Sequence, residues 1–256
     1  MTQSTHVQVT TADRITTIRF ARIDKKNAIT LEMYGALGAA LEAAAADPAV
    51  RVVVIAGAPE CFTSGNDLGD FMRAAQGGGE ISAPLVFLRT IATFEKPIVA
   101  AVAGVAIGIG TTLLLHCDLV YAAPNARFKV PFVDLGLVPE AGSSVLLPAL
   151  VGARRAAQLL LLGEQLDAPT ALAWGLVNGV AADPDAAARA AATRLAACAP
   201  TALRTTKALT RRATREVVLE AMRVEGEAFA ERLRAPEALE ALQAFMARRP
   251  ADFSHF

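Results

Sequence analysis

The sequence carries no excess of either charge: 25 lysines and arginines stand against 25 aspartates and glutamates in 256 residues. That balance offers neither a basic groove for nucleic acid nor a charged face for a membrane surface. Cysteine is scarce as well. Cys61, Cys117 and Cys198 are odd in number, far apart and without metal-ligand spacing, which argues against a disulfide framework or a zinc site and for a reducing compartment. Met1-Thr2-Gln3-Ser4-Thr5-His6 has neither a basic nor an apolar leader region, and Phe253-Ser254-His255-Phe256 is no targeting tail, so a cytoplasmic location is expected. No internal repeat is evident. A chain of this length can bury a large core, as one domain or as one domain with an appendage.

Charge is also missing locally, over the 19 residues between Lys96 and His116. Length alone would allow a membrane span. Gly104, Gly108 and Gly110 instead divide the stretch into a β-branched run over 98–102, a flexible turn and a helix-like tail over 111–117. It therefore reads as a buried strand feeding a helix, whose N-terminus presents unpaired backbone N–H groups suited to an anionic oxygen.

Around that unit the pattern alternates strand with helix. Residues 7–11 and 15–20 read as a hairpin about Ala12-Asp13-Arg14, and Thr30 can cap a helix that runs to Ala46 and ends at Asp47-Pro48. A buried strand follows over 51–55, a loop of small residues over 56–65, and a third short strand over 118–122. Such alternation implies parallel strands covered by helices, with ligands at the carboxyl ends of the strands. From Pro200 the pattern is all helical, over 201–212, 216–233 and 235–247, and reads as a separate, mostly α segment.

Two loops leave strand ends and enter helices: Cys61-Phe62-Thr63-Ser64-Gly65-Asn66-Asp67-Leu68 and Gly104-Val105-Ala106-Ile107-Gly108-Ile109-Gly110-Thr111. At one sheet edge, an N–H from each could converge on a single oxygen as a main-chain oxyanion hole. Taken singly, Gly65 and Gly108 are better explained as allowing tight turns.

In this order and spacing the two loops resemble the enoyl-CoA hydratase/isomerase (crotonase) superfamily. Ala21-Arg22-Ile23-Asp24-Lys25-Lys26-Asn27-Ala28-Ile29 resembles its first CoA-contacting loop, residues 62–68 its F-[S/A]-[A/S]-G-x-D-[L/I] signature, and residues 103–110 its second glycine loop. Residues 117–122, 128–139, 163–177 and 244–250 follow the same pattern, so the likeness covers nearly the whole chain. It implies an α/β fold, a crotonase-like spiral of ββα units over residues 1–199 with a C-terminal helical trimerisation segment over 200–256. It also implies a homotrimer or dimer of trimers, and a CoA thioester whose carbonyl sits between the N–H groups of Asn66 and Ile109, so that an enolate is stabilised. By the same resemblance Ala28, Ser64, Gly65, Asp67, Leu68 and Gly110 lie along the substrate, and Asp118 is structural. Lys25, Lys26 and Lys207 are candidate partners for CoA phosphates, or else surface charges. No metal or redox cofactor is implied; coenzyme A is part of the substrate.

The hydratases of the superfamily carry two glutamates, at positions that correspond to Thr112 and Phe132 in this chain. Neither side chain can do acid/base work at neutral pH, so no pair is present to activate water. A carboxylate does occur at Glu140, in Leu137-Val138-Pro139-Glu140-Ala141-Gly142-Ser143-Ser144. This resembles the Δ3,Δ2-enoyl-CoA isomerases of the peroxisomal type, in which one carboxylate takes a proton from C2 and returns it at C4. Read without the resemblance, Glu140 is a first-turn acid facing a helix dipole. His116 reads as a core or cap histidine, Asp67 as the acceptor that orders its own loop, and Asp134 as a solvated turn residue. The leading expectation is an enoyl-CoA isomerase. An enoyl-CoA hydratase and a non-catalytic acyl-CoA-binding member are the alternatives, and the acyl pocket is assigned to loops such as 71–84.

Overall fold

The computed structural model describes residues 4–75 and 82–256; the loop expected at 71–84 thus lies partly outside the described residues. Strands β1 (Val7–Ala12) and β2 (Ile15–Phe20) form a hairpin. Its two-residue turn, Asp13-Arg14, has φ of 53° and 65°, the sign that matches a primed turn to the twist of the strands. Helix α1 (Leu31–Ala46) starts where the Thr30 hydroxyl accepts the Met33 N–H at 3.2 Å. At its other end the Lys96 ammonium donates to Ala44 O (2.6 Å) and Asp47 O (2.7 Å), satisfying two carbonyls at the helix terminus.

The chain then alternates between two sheets. β3 (Val52–Ala56) is followed by β4 (Cys61–Thr63), α2 (Leu68–Ala75) and α3 (Ser82–Thr93). β5 (Ile98–Val102) leads to β6 (Val105–Ile107) and α4 (Ile109–Thr112), which a 3-10 turn (Leu113–His116) continues. β7 (Leu119–Ala122) leads to β8 (Arg127–Lys129), a 3-10 turn (Val133–Leu135), α5 (Ser143–Val151) and α6 (Ala153–Leu162). β9 (Leu166–Asp167), α7 (Ala168–Ala173), β10 (Gly179–Val180) and α8 (Pro184–Ala196) complete the spiral. The larger sheet has the order β1-β2-β3-β5-β7-β10, parallel except for β1 against β2; the smaller has the order β4-β6-β8-β9, with β9 antiparallel. Each turn thus gives one strand to each sheet, which is the ββα spiral.

β3 is buried along its whole length because it is covered on both faces. Val53 and Ile55 join the main core with Ile98, Ala100 and Val102. Val52, Val54 and Ala56 face the other way, under Ala188, Ala191, Ala192 and Ala196 of α8, whose small side chains let the helix lie close to the sheet. Two loops expected from sequence contain strands of three residues each, β4 and β6, and the tail read as helical over 111–117 is a single α turn followed by a 3-10 turn. The 19 uncharged residues are therefore divided among two strands and two short turns. Among the described residues no helix is long and apolar enough to cross a membrane.

The last three helices are α9 (Pro200–Arg211), α10 (Arg215–Leu233) and α11 (Pro236–Met246). α9 and α11 each have proline at the first position, where the missing N–H costs nothing. A buried charge cluster ties α9 to the sheet. Asp118 accepts the Ile98 N–H (2.8 Å), the Lys207 ammonium (2.7 Å) and the Arg211 guanidinium (2.8 Å). Burial holds the Lys207 ammonium below its usual pKa, with Asp118 opposing the shift. Asp118→Ala would leave that ammonium buried without its anion, and we expect a loss of about 3 kcal/mol in urea unfolding, the scale for breaking one side of a buried ion pair. A loss below about 1 kcal/mol would mean that Lys207 finds water instead.

Candidate active site

β4 and β6 are adjacent and parallel, so the loops that leave their carboxyl ends start side by side. Contact between them is close enough to require glycine. A Cβ on Gly65, which has φ +94°, would stand 2.8 Å from Ile107 O, and a Cβ on Gly110 would stand 2.6 Å from Thr63 Cγ2 and 3.1 Å from Thr63 O. Asn66 follows the first glycine and Ile109 precedes the second. Their backbone N–H groups have no acceptor among the described residues: Ile109 opens α4, and the loop bonds around Asn66 run through Gly65 O and the Asp67 N–H.

The 21–29 loop holds the first of these loops in register. Ile29 donates to Gly65 O (2.8 Å), Asp67 to Ile29 O (2.9 Å) and Ser64 to Lys26 O (3.0 Å). Asn27 is fully buried at φ +53°, with its amide donating to Cys61 O (2.9 Å) and Phe62 O (3.1 Å) and its carbonyl oxygen accepting the Arg22 N–H (2.8 Å). Burial works against ionisation of Asp67, yet hydrogen bonds from Arg22 (2.7 Å), Asp70 and Gly69 hold its carboxyl below the usual value. Lys25 and Lys26 are exposed at the mouth of this loop.

A cavity of ≈ 510 Å³ opens beside Ala28, Ser64, Asn66, Leu68 and Ile107, closed on the far side by Leu135, Ala241 and Phe245. Lys129 and Asp134, ion-paired at 2.8 Å, sit on its wall. Lys207 is elsewhere. Its ammonium, 8% exposed, donates to Asp118 and to Lys96 O (2.7 Å), so it is engaged inside the fold and is not presented to a phosphate.

Glu140 meets the helix that follows the second loop. Its carboxylate accepts the hydroxyl of Thr112, the last residue of α4. Burial raises its pKa from the usual range to about 8; the Thr112 hydrogen bond opposes that rise and the negative charge of Glu225 adds to it. Tyr34 bridges toward the first loop: its hydroxyl donates to Asn66 Oδ1 at 2.6 Å, and its own pKa is pushed well above the usual value by burial and then by the Glu140 charge. Phe132 is buried and carries no polar atom, so Glu140 is the acid at this place.

The turn that carries Glu140 is tightly held. Ala141 and Gly142 have φ of 61° and 70°, and Ser143 donates to Glu140 O through its N–H (3.0 Å) and its hydroxyl (2.6 Å). His116 is buried with Nε2 2.8 Å from Ala141 O; burial lowers its pKa to about 4, so the ring is neutral at pH 7 and donates to that carbonyl. Cys61 and Cys117 are no nucleophiles, since burial raises their pKa values to about 11 and about 12. Among the described residues no group of three His, Cys, Asp or Glu could hold a metal ion. Sequence reasoning did not single out Tyr34, Asn27 or Glu225; only Asn27 lies inside a quoted motif, and the other two belong to helices with no local signal.

A model of the family "Enoyl-CoA hydratase/isomerase" matches residues 10–255. Enoyl-CoA delta isomerase 2 of Rattus norvegicus is 38% identical over 258 residues, 97% of this chain and 65% of that protein. The Homo sapiens protein of the same name is 41% identical over 217 residues, 81% of this chain and 55% of that protein. This chain thus spans less than two thirds of the length of both relatives. The solved structure of Pseudomonas aeruginosa OdaA superposes with a TM-score of 0.92 at 46% identity, over 95% of this chain and 99% of that one. By the match of its sequence and by the spiral it forms, the chain belongs to the enoyl-CoA hydratase/isomerase family.

Proposed function

We propose that this protein is an acyl-CoA isomerase that moves a double bond from Δ3 to Δ2 of an enoyl-CoA thioester. One observation carries the reading: Glu140 is a single partly buried carboxylate of raised pKa, bonded to Thr112 in the helix that Ile109 opens. The thioester oxygen is received by the N–H groups of Asn66 and Ile109. Glu140, ionised, takes a proton from C2 and the electron pair moves to the carbonyl oxygen, forming the enolate. The enolate then collapses, C4 takes the proton back from the Glu140 carboxyl, and the product is the conjugated Δ2 thioester. A base of raised pKa takes a carbon-bound proton more readily than an ordinary carboxylate and, once protonated, is still a competent acid near neutral pH.

Lys25 and Lys26 are placed to meet the CoA phosphates, and Ala28, Ser64, Gly65, Asp67, Leu68 and Gly110 to line the thioester arm. Assembly as a homotrimer or dimer of trimers belongs to the same proposal. It is supported by exposed Leu150, Leu161, Leu162, Leu209, Val217 and Val224, and sedimentation equilibrium tests it. The reaction is tested by ultraviolet absorbance with two substrates. Gain of conjugation from a 3-enoyl-CoA supports the isomerase. Loss of conjugation from a 2-enoyl-CoA at comparable or greater rate would replace it with a hydratase, and tight binding with neither change would replace it with a binding protein.

A further inference from the structure

We propose that Glu225 of α10 is a positioning residue for Glu140, clamping the 140–144 turn through two backbone N–H groups and setting a negative charge beside the base. The inference rests on the isomerase reading. The start of α5 shows why a clamp is needed. Gly142 is its capping residue and has no side chain to accept the free N–H groups of the first turn. Glu225 supplies what is missing from a distance of more than eighty residues: Oε2 accepts the Gly142 N–H at 2.6 Å and Oε1 the Ser144 N–H at 2.9 Å. The side chain is 7% exposed. Both of its oxygens thus accept a backbone N–H.

The turn also contains a non-glycine residue, Ala141, at φ +61°, a conformation that persists only where the surroundings hold it. His116 holds its carbonyl, Ser143 folds back on Glu140 O, and Glu225 fixes the two N–H groups that follow. Val218 and Met222, on the same face of α10, pack against Gly142. The direction in which Glu140 points is thus set by α10.

Charge makes the second half of the proposal. The Glu140 carboxylate meets Thr112 of α4, Glu225 of α10 is bonded to Gly142 and Ser144 two and four residues further on and its charge raises the pKa of Glu140, the Glu140 charge in turn raises that of Tyr34 of α1, and neutral His116 holds Ala141 O. Among the described residues neither Glu140 nor Glu225 forms an ion pair with a lysine, arginine or histidine. The repulsion from Glu225 is therefore not cancelled and favours protonated Glu140.

The test is the pH profile of kcat/KM on a 3-enoyl-CoA for the intact chain and for Glu225→Gln and Glu225→Asp, after thermal melting has shown that each is folded. Gln removes the charge and one of the two acceptors. We expect kcat to fall roughly ten- to a hundredfold, as misplacement of a catalytic group costs, and the acidic limb to move to lower pH. Asp keeps the charge and loses reach, so kcat falls while the limb stays near that of the parent. A Glu225→Gln profile that superimposes on the parent's, whatever its height, overturns the proposal and leaves a helix cap.

If Glu225→Gln does not fold, 13C titration of the glutamate carboxyls in the parent and in Glu140→Gln decides. The Glu225 resonance must shift as Glu140 titrates in the parent, and that step must vanish in the variant; a Glu225 signal unaltered between the two overturns the proposal. Activity retained in Glu140→Gln would overturn the isomerase reading, while the carboxyl titration would still report on the coupling by itself.

Discussion

Glu140→Gln should lower isomerisation of a 3-enoyl-CoA by on the order of a hundredfold or more, with little change in the affinity for a CoA thioester. The substitution keeps size and shape, and the amide oxygen of Gln can still accept the Thr112 hydroxyl that meets the carboxylate now. What is removed is the negative charge and the basic oxygen that takes and returns the proton. In the parent, kcat/KM should rise with pH and level off above about 8, because the proton is taken by the ionised form and burial holds Glu140 at about 8. The same shift makes a stability prediction of opposite sign. A carboxyl raised from 4.5 to about 8 by folding binds more protons in the folded state between those values, so its contribution to stability is fully present below 4.5 and is lost as pH rises through about 8. Glu140→Gln should therefore melt higher than the parent at pH 9, by a few kcal/mol at most on the scale of 1.4 kcal/mol for each pKa unit, and the gap should close toward pH 5. Full turnover in the variant would remove Glu140 from the mechanism. Equal melting at pH 9 would mean that the ionised carboxylate is adequately solvated in place.

Thr30, Asp47-Pro48 and the turn at Asp13-Arg14 are local signals, and the helix and hairpin that they predict have the expected bounds within one residue. β4 and β6 were not legible. Three residues are too few to show an alternation, both strands lie between glycines, and what makes them strands is pairing with each other, and of β6 with β8, across the spiral. The two glycine loops were legible because a close backbone approach leaves a residue type behind: Gly65 and Gly110 stand where a Cβ would meet Ile107 and Thr63.

Glu225 and Tyr34 left no such trace. Their partners lie 83 and 32 residues away, and a glutamate or a tyrosine within an amphipathic helix is ordinary until the fold shows what it faces. Lys207 errs in the other direction. It is read as a phosphate partner or a surface charge, but Lys207 and Arg211, one turn apart on α9, both reach Asp118, and the Lys207 ammonium, over the Phe94 ring, is taken into the core with its counter-ion. Charge in a sequence shows what a side chain carries and leaves open whether it is solvated; the partner across the fold decides that.

In the proposed reaction the oxyanion donors are main-chain groups, and substitutions at Ile109 should separate them from the side chains that bear their names. Ile109→Ala should leave turnover largely intact, because alanine supplies the same N–H. Its cost is to stability, since Ile109 is 1% exposed in the main core, and a few kcal/mol is the usual loss for such a truncation. Ile109→Pro deletes the donor itself and should cost roughly 3–4 kcal/mol of transition-state stabilisation, a factor of several hundred in kcat, as loss of one such donor does. The position is favourable for the experiment. Ile109 is the first residue of α4, where proline breaks no helical hydrogen bond and its fixed φ is compatible with the first turn, and the residue before it is Gly108, which lacks the Cβ that a following proline ring crowds. Ile109→Ala is also the stability control, having lost the same apolar side chain, so the two variants should melt within about 1 kcal/mol of each other while differing several hundredfold in rate. A folded Ile109→Pro protein with the kcat of Ile109→Ala would show that the N–H at 109 is not a donor to the thioester oxygen, and the pairing of this glycine loop with the Asn66 loop around one oxygen would have to be abandoned.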